Sequence, residues 1–215
     1  MQVRYLAEAE IEDEARVLLE RYARDRGVTI VSPIPIERII NYLGLHQDVC
    51  DIYQRLSLRR SPGDEVLGAL SFKSRQIYVH HEIDPDGYPW LEGRFNFTLG
   101  HEVGHWMLHR EYFAEAEQLT LLDDQSPPDI VCRKRETAPI EWQANSFAAR
   151  LLMPRSLTSA TWIARAGRGD MLTPNVERRL IKSIAKDFAT SIQATEIRLR
   201  DLGLIGSLRA PELGV

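Results

Sequence analysis

Residues 94–109 read RFNFTLGHEVGHWMLH and contain the pattern His-Glu-x-x-His from His101 to His105. Two histidines at positions i and i+4 of a helix share one face, about 6 Å apart along the axis, so both can reach one metal ion. Zinc suits this pair, because a catalytic zinc takes imidazole nitrogen and uses three protein ligands. The pattern predicts a zinc-bearing helix with Glu102 as the catalytic residue. The alternative is a surface helix with two unrelated histidines.

A third ligand is expected from Glu141, which begins the segment EWQANSFAARLLMP, residues 141–154. In a helix Glu141 shares its face with Ala144, Ala148, Leu151 and Leu152, so its carboxylate points toward the interior. Burial of an unpaired charge costs several kcal/mol, and coordination to zinc is one arrangement that offsets this cost. The alternative is a solvated Glu141 favoured by the dipole at its helix N-terminus.

Other polar residues are candidates for supporting roles. His109 is two turns from His101, about 12 Å along the axis, so it is expected to be a structural or supporting histidine rather than the third ligand. Asn145 lies one turn beyond Glu141 and is a candidate to orient a ligand, or a surface amide. Candidates for stabilising an oxyanion, each with a solvated alternative, are Tyr78, His80, His81 and Tyr112.

Composition excludes several classes of protein. The chain has 215 residues, 27 Lys+Arg against 31 Asp+Glu, and 44% hydrophobic residues, which excludes general disorder and argues against a broad polyanion-binding surface. Two cysteines, Cys50 and Cys132, cannot form a disulfide framework or a zinc ribbon, and both are expected to be free thiols. No leader and no run of about 18 apolar residues is found, which predicts a cytoplasmic protein without a membrane segment.

The segments 94–105 and 141–154 together resemble the ImmA/IrrE family of zinc metallopeptidases, through its HExxH helix and its later E-x-x-A-N-x-F-A segment. The resemblance implies one zinc per chain, held by His101, His105 and Glu141 in a gluzincin-like site, with Glu102 catalytic. It also implies cleavage of a helix-turn-helix transcriptional repressor and thereby derepression of genes. Gly100 departs from the Ala that is usual before the motif, which affects the expected helix geometry.

The expected fold is α+β: a mainly helical, zincin-like metallopeptidase core with a small antiparallel β-sheet over 1–155, and a helical, helix-turn-helix-like region over 156–215 packed on it. Apolar periodicity and turn residues predict helices over 11–26, 36–43, 140–153, 175–189 and 191–202, and strands over 66–72 and 76–80 with a third near 53–58. Residues 121–139 are expected to form a long surface loop. The strand 76–80 is the predicted docking edge for an extended substrate.

The C-terminal region has helix-turn-helix spacing over 184–199. Residues 175–204 carry six Lys/Arg and four Asp/Glu, and the second helix mixes both signs: Arg198 and Arg200 with Glu196 and Asp201. This balance is weak for phosphate contacts, so packing or docking of a repressor substrate is favoured over direct DNA binding. Two functions remain open: a zinc-dependent endopeptidase, and a non-catalytic regulatory protein that binds a repressor or DNA through this region.

Overall fold

The computed structural model describes residues 4–60, 65–117, 130–133, 139–167 and 173–206. Its helices are α1 Glu8–Arg26, α2 Ile36–Tyr42, α3 Ile52–Arg55, α4 Glu92–Glu117, α5 Pro139–Leu152, α6 Arg155–Ala166, α7 Pro174–Asp187 and α8 Ile192–Asp201. Its strands are β1 His46–Cys50, β2 Val66–Ser71, β3 Gln76–His80 and β4 Ile130–Arg133. The predicted mainly helical α+β class is confirmed. No helix within the described ranges combines the length and apolar character that crossing a membrane requires.

The sheet is mixed rather than antiparallel, with the order β1-β3-β2-β4. The β2–β3 hairpin is antiparallel as predicted, whereas β1 runs parallel to β3. The strand expected near 53–58 is wrong, because Asp51 caps a short helix there by accepting from the backbone N–H groups of Tyr53 and Gln54. The polar strand β1 lies just before that cap and has no apolar alternation that would predict it.

The position of β3 overturns its predicted role as a docking edge. β3 is paired on both sides, with β1 and β2, so its backbone groups are not available to an added strand. β4 pairs antiparallel with β2 and forms the other end of the described sheet. It lies inside the predicted 121–139 loop, so that expectation fails at 130–133. The remaining residues of that loop, apart from Pro139 at the start of α5, lie outside the described ranges.

Helix α4 packs against both the sheet and α5 through one apolar cluster. Leu99 and Val103 of α4 share a fully buried cluster with Ile77 and Val79 of β3, and with Leu151 of α5. At about 25 cal/mol per Å² of apolar surface, each such side chain contributes on the order of 2 kcal/mol. This packing compensates for the low helix propensity of Gly100 and Gly104 inside α4.

The C-terminal helices α6, α7 and α8 form a second apolar cluster that includes Ala149 of α5 and Met153. A close backbone approach to α4 and a buried ion pair with α1 add to this apolar contact. The turn after α7 lies on the first turn of α4, where Asn96 Nδ2 donates to the Ala189 carbonyl at 3.0 Å. A Cβ at Gly93 would lie 2.7 Å from the backbone nitrogen of Ser191, so only glycine permits this approach. The division into domains at 155/156 stays a prediction.

The second contact is an ion pair between α8 and α1. Arg198 is fully buried and donates to both carboxylate oxygens of Glu12, at 2.9 and 2.6 Å, and to the Met153 carbonyl at 3.0 Å. Burial opposes ionisation of Glu12, but the hydrogen bond and charge of Arg198, with Arg155 and Arg150, outweigh it and lower its pKa. A carboxyl whose pKa is lowered by folding stabilises the protein above its ordinary pKa, and this contribution is lost as the pH falls.

We expect Glu12→Gln to lower the free energy of unfolding at pH 7 by about 3 kcal/mol, since it leaves Arg198 buried without its counter-ion. The difference in unfolding free energy should begin to shrink below the ordinary glutamate pKa of about 4.3, where Glu12 of the unfolded chain becomes neutral. It should vanish only below the lowered pKa that Glu12 has in the folded protein. Urea unfolding at pH 7 and at acidic pH measures both effects. The control is Glu20→Gln, since Glu20 is on the same helix in an exposed pair with Arg16. A deficit that does not change with pH would contradict the ion-pair explanation.

Candidate metal centre

The close packing of α4 against α5 brings the two sequence motifs together. A Cβ at Gly104 would lie 3.0 Å from the Ala144 carbonyl oxygen and 3.1 Å from its Cα, so the bare backbone of α4 is what allows α5 to approach. A Cβ at Gly100 would meet Ala148 Cβ at 3.4 Å, an ordinary van der Waals distance. The alanine usual before the motif would therefore fit at position 100, and Gly100 does not distort the helix.

Three buried side chains converge at this seam: His101 and His105 of α4, and Glu141 in the first turn of α5. His101 Nε2 lies 3.1 Å from Glu141 Oε2, His105 Nε2 lies 3.3 Å from Glu141 Oε1, and the two Nε2 atoms are 2.9 Å apart. Ligands at 2.0–2.1 Å from a tetrahedral ion are about 3.3 Å from one another. The three side chains thus fit around one metal ion with little movement.

The charges of these three side chains are coupled. Burial lowers the pKa of His105 to about 4. Burial opposes ionisation of Glu141, but its contacts with His101 and His105 outweigh this effect and lower the pKa of Glu141 to about 2. Burial also opposes protonation of His101, whose pKa is nevertheless raised by its hydrogen bond to Glu141 and by the charge of Glu102. Glu141 therefore stays ionised inside the protein, and its negative charge favours a cation between the two histidines.

Two further polar side chains of α5, Asn145 and Gln143, form hydrogen bonds with histidines of α4. Asn145 Oδ1 lies 2.9 Å from His101 Nδ1. On the other histidine, His105 Nδ1 lies 3.1 Å from Nδ1 of the buried His109, and His109 Nε2 lies 3.0 Å from Oε1 of Gln143. The structure thus brings Asn145 and His109 to the group in supporting positions. Gln143 is a residue that the sequence did not single out, because one polar side chain in a helix carries no signal of its direction.

Glu102 is fully buried and points to the sheet. A Cβ at Gly68 of β2 would collide with Glu102 Oε1 and would lie 2.8 Å from Thr98 Cγ2. Gly68 therefore leaves the space that the Glu102 carboxylate occupies. Sequence reasoning missed this residue, although a glycine inside a strand is a known sign of close approach by another group.

The candidates for oxyanion stabilisation on the sheet do not join this group. Tyr78 pairs with Ala69 and packs with Ile52 on the sheet face opposite to α4. His81 is exposed, and its Nδ1 lies 3.3 Å from the Cys50 carbonyl. Side-chain alternation along β3 explains the placement of Tyr78, because Ile77 and Val79 take the positions that face α4. Of the two expected free thiols, Cys50 is confirmed as free, whereas nothing is described of the Cys132 side chain.

Comparison with known proteins agrees with this geometry. The family model of the IrrE N-terminal-like domain of M78 peptidases matches residues 91–200, just over half of the chain. The chain belongs to the M78 peptidase family. The matched range includes α4 and α5, and so both helices of the His101, His105 and Glu141 group. The resemblance to the ImmA/IrrE family is thereby confirmed.

Solved structures and curated sequences add little beyond the M78 family. A Mycobacterium tuberculosis transcriptional regulator is similar with 15% identity and a TM-score of 0.49, over 93% of this chain and 57% of that chain. This chain thus spans somewhat over half the length of that protein. No curated protein matches the sequence.

Membership of the M78 family supports a metallopeptidase-like role, and the donor set fits that role. Two imidazoles and one carboxylate are a ligand set of catalytic zinc sites, which keep a further position for water or substrate. Among the described residues, His101, His105 and Glu141 are the only group of three or more His, Cys, Asp or Glu side chains placed to hold a metal. The same two helices therefore carry the family match and the candidate metal centre.

Proposed function

We propose that this chain is a zinc-dependent endopeptidase that hydrolyses a specific peptide bond in a protein substrate. The observation that carries the proposal is the buried group of His101, His105 and Glu141, with Glu102 adjacent to the first histidine. In the proposal one zinc per chain is held by these three side chains. Zinc is favoured over harder cations such as magnesium because imidazole nitrogen supplies two of the three donors.

Glu102 is the residue proposed to move protons. When bound, zinc supplies a Lewis acid that polarises a carbonyl and makes a water molecule easier to deprotonate. Glu102 would accept a proton from the attacking water and return it to the leaving amine, as a single positioned carboxylate can do in both directions. Glu102 is fully buried and directly follows the ligand candidate His101 in α4, which supports this role.

The proposed substrate is a helix-turn-helix transcriptional repressor, whose cleavage would derepress its genes. This part rests on the resemblance to the ImmA/IrrE family and not on a contact within the chain. Narrow specificity requires a surface that recognises the substrate outside the cleaved bond. The helical region 156–215 is the proposed place for it, as a unit distinct from the 1–155 metallopeptidase region.

Metal content is the first test of the proposal. We expect about one zinc per purified wild-type chain and clear loss of zinc in His101→Ala and in Glu141→Ala, because each removes one of three ligands. His46→Ala is a matched control, since His46 is an exposed histidine of β1. Elemental analysis after zinc reconstitution and desalting measures the content. Absence of zinc from the reconstituted wild type would overturn the proposal.

Cleavage is the second test. Wild-type protein is incubated with purified helix-turn-helix repressors encoded near its gene, with and without a zinc chelator. A single new amino terminus in one repressor, lost with chelator and restored by zinc, is the expected result. Failure to cut any of them while zinc is bound would favour the non-catalytic alternative.

One observation favours that alternative, a regulatory protein that binds through its C-terminal helices. The exposed face of α7 carries four basic side chains without an ion pair in the part of the chain that the structure describes: Arg178, Arg179, Lys182 and Lys186. On α8, however, Arg198 is buried against Glu12 and Arg200 pairs with Glu196. Both arginines of the helix that would read DNA bases are therefore already paired within the protein. A gel-shift titration with salt separates the cases: sequence-specific binding supports the alternative, and no binding removes its DNA version.

A further inference from the structure

A chain of hydrogen bonds leads from the candidate metal centre to the segment before α1. Gln143 Nε2 donates to the Arg4 carbonyl at 2.9 Å, Gln143 Oε1 lies 3.0 Å from His109 Nε2, and His109 Nδ1 lies 3.1 Å from His105 Nδ1. His105, His109 and Gln143 are all at most 1% exposed, so water does not replace these contacts. Buried polar groups of this kind are rigid when each one has a partner.

The donor and the acceptor of each hydrogen bond between Arg4 and His105 can be assigned, because some of these atoms can only accept. A carbonyl oxygen can only accept, so Arg4 fixes the amide nitrogen of Gln143 toward itself and the amide oxygen toward His109. That oxygen also only accepts, so His109 carries its hydrogen on Nε2. In neutral His109 the Nδ1 atom then has a lone pair and accepts from His105 Nδ1. His105 therefore holds its hydrogen on Nδ1 and keeps a lone pair on Nε2. That lone pair can accept from His101 Nε2, 2.9 Å away, or bind a metal.

We propose that His109 and Gln143 are positioning residues that fix the tautomer and ring orientation of His105, and that the Arg4 carbonyl is the anchor of this relay. The inference rests on the proposed function, since it makes His105 Nε2 the donor atom to the metal. With the opposite tautomer, His105 would direct an N–H group at Glu141 and could not bind a metal through Nε2. Hydrogen bonds to the outer nitrogen of a ligand histidine generally raise its affinity for the metal.

The anchor itself is held by an aromatic contact at the surface. The Tyr5 ring stacks on Trp142 with ring planes 5° apart and centroids separated by 6.1 Å, one residue away from both ends of the Arg4–Gln143 hydrogen bond. Tyr5 is 70% exposed, so this stack lies at the surface, whereas His105, His109 and Gln143 are buried. The segment before α1 thus becomes part of the metal centre, although it lies far from it in sequence.

The test is direct observation of the tautomers in the full wild-type chain. Long-range proton–nitrogen NMR with ¹⁵N-labelled histidine distinguishes protonated from unprotonated ring nitrogens. In the zinc-loaded chain we expect His109 to be neutral with hydrogen on Nε2, and His105 to carry a slowly exchanging hydrogen on Nδ1. Hydrogen on Nδ1 of His109 would overturn the proposal.

Zinc affinity, measured by competition with a chromophoric chelator, gives a second readout. His109→Leu should weaken zinc binding about 10- to 100-fold, and His109→Asn should recover most of the loss, because its amide oxygen can accept from His105. His81→Asn, a change of an exposed histidine outside the relay, should bind zinc like the wild type. Equal affinities for the wild type and His109→Leu would also overturn the proposal.

The two proposals can fail separately. Absence of zinc from the wild type refutes the proposed function, while the His109 tautomer can still be read in the metal-free chain and still decides the relay. Zinc binding with the wrong His109 tautomer refutes only the relay. The NMR measurement needs no substitution, so poor folding of a variant does not prevent a decision.

Discussion

Replacing Glu102 by Gln is expected to reduce repressor cleavage about 1000-fold while zinc stays bound. Glutamine keeps the size and shape of the side chain but cannot accept a proton from water, and positioned acid–base groups typically contribute 10²–10⁴-fold to the rate. The zinc ligands His101, His105 and Glu141 are unchanged. Initial rates on the substrate identified with the wild type, together with zinc content of the same preparations, measure the effect.

A matched control for this substitution is Glu111→Gln, because Glu111 lies on the same helix and is exposed. It should cleave like the wild type. A Glu102→Gln variant that cleaves at the wild-type rate would refute the proton-transfer role. Loss of zinc together with activity would instead assign Glu102 a structural part in the metal centre.

Gly68→Ala is expected to reduce cleavage at least about 100-fold, again with zinc retained. The added Cβ would occupy the place of Glu102 Oε1 and would crowd Thr98, so the end of the Glu102 side chain must move. Because that end belongs to a flexible side chain, the fold can adapt, but misplacement of a catalytic group by about 1 Å can cost 10²-fold in rate. Turnover, zinc content and thermal unfolding of the variant measure the three parts of this expectation.

Gly87→Ala is the control for Gly68→Ala, since a Cβ at Gly87 would meet its nearest heavy atom, the Asp84 carbonyl oxygen, only at 3.9 Å. It should retain normal turnover. Full activity of Gly68→Ala would show that Glu102 tolerates the methyl group and that β2 does not determine its position. Loss of zinc would place the damage at the ligands rather than at Glu102.

The sequence predicted the parts of the candidate site that depend on local geometry. His101 and His105 are one helical turn apart in any α-helix, so their convergence needs no knowledge of the fold. The apolar neighbours of Glu141 indicated an inward carboxylate, and the structure does place it beside both histidines. The hairpin of β2 and β3 was readable for the same reason, since its alternation and turn are local.

The errors concern relations between distant segments. The parallel pairing of β1 with β3 and the return of β4 onto β2 join residues that the period of a single strand does not relate. The first pairing makes β3 an inner strand, and the second makes β2 an inner strand. The sequence of a polar strand such as β1 does not show which strand it will pair with. Its pairing is made by backbone hydrogen bonds, which are the same for every residue type, and not by a buried apolar face.

Residue types and local spacing are enough to indicate the family, the helical metal-binding pattern and the three candidate ligands. His101 and His105 follow from spacing within one helix, and Glu141 follows from the apolar face of a second helix. The partners that complete the site become visible only in the folded arrangement: the carbonyl of Arg4, the amide of Gln143 and the space above Gly68. Each of these acts across a contact between separate elements. Backbone groups and missing side chains carry almost no sequence signal, so their role appears only when close packing brings them to the histidines and to Glu102.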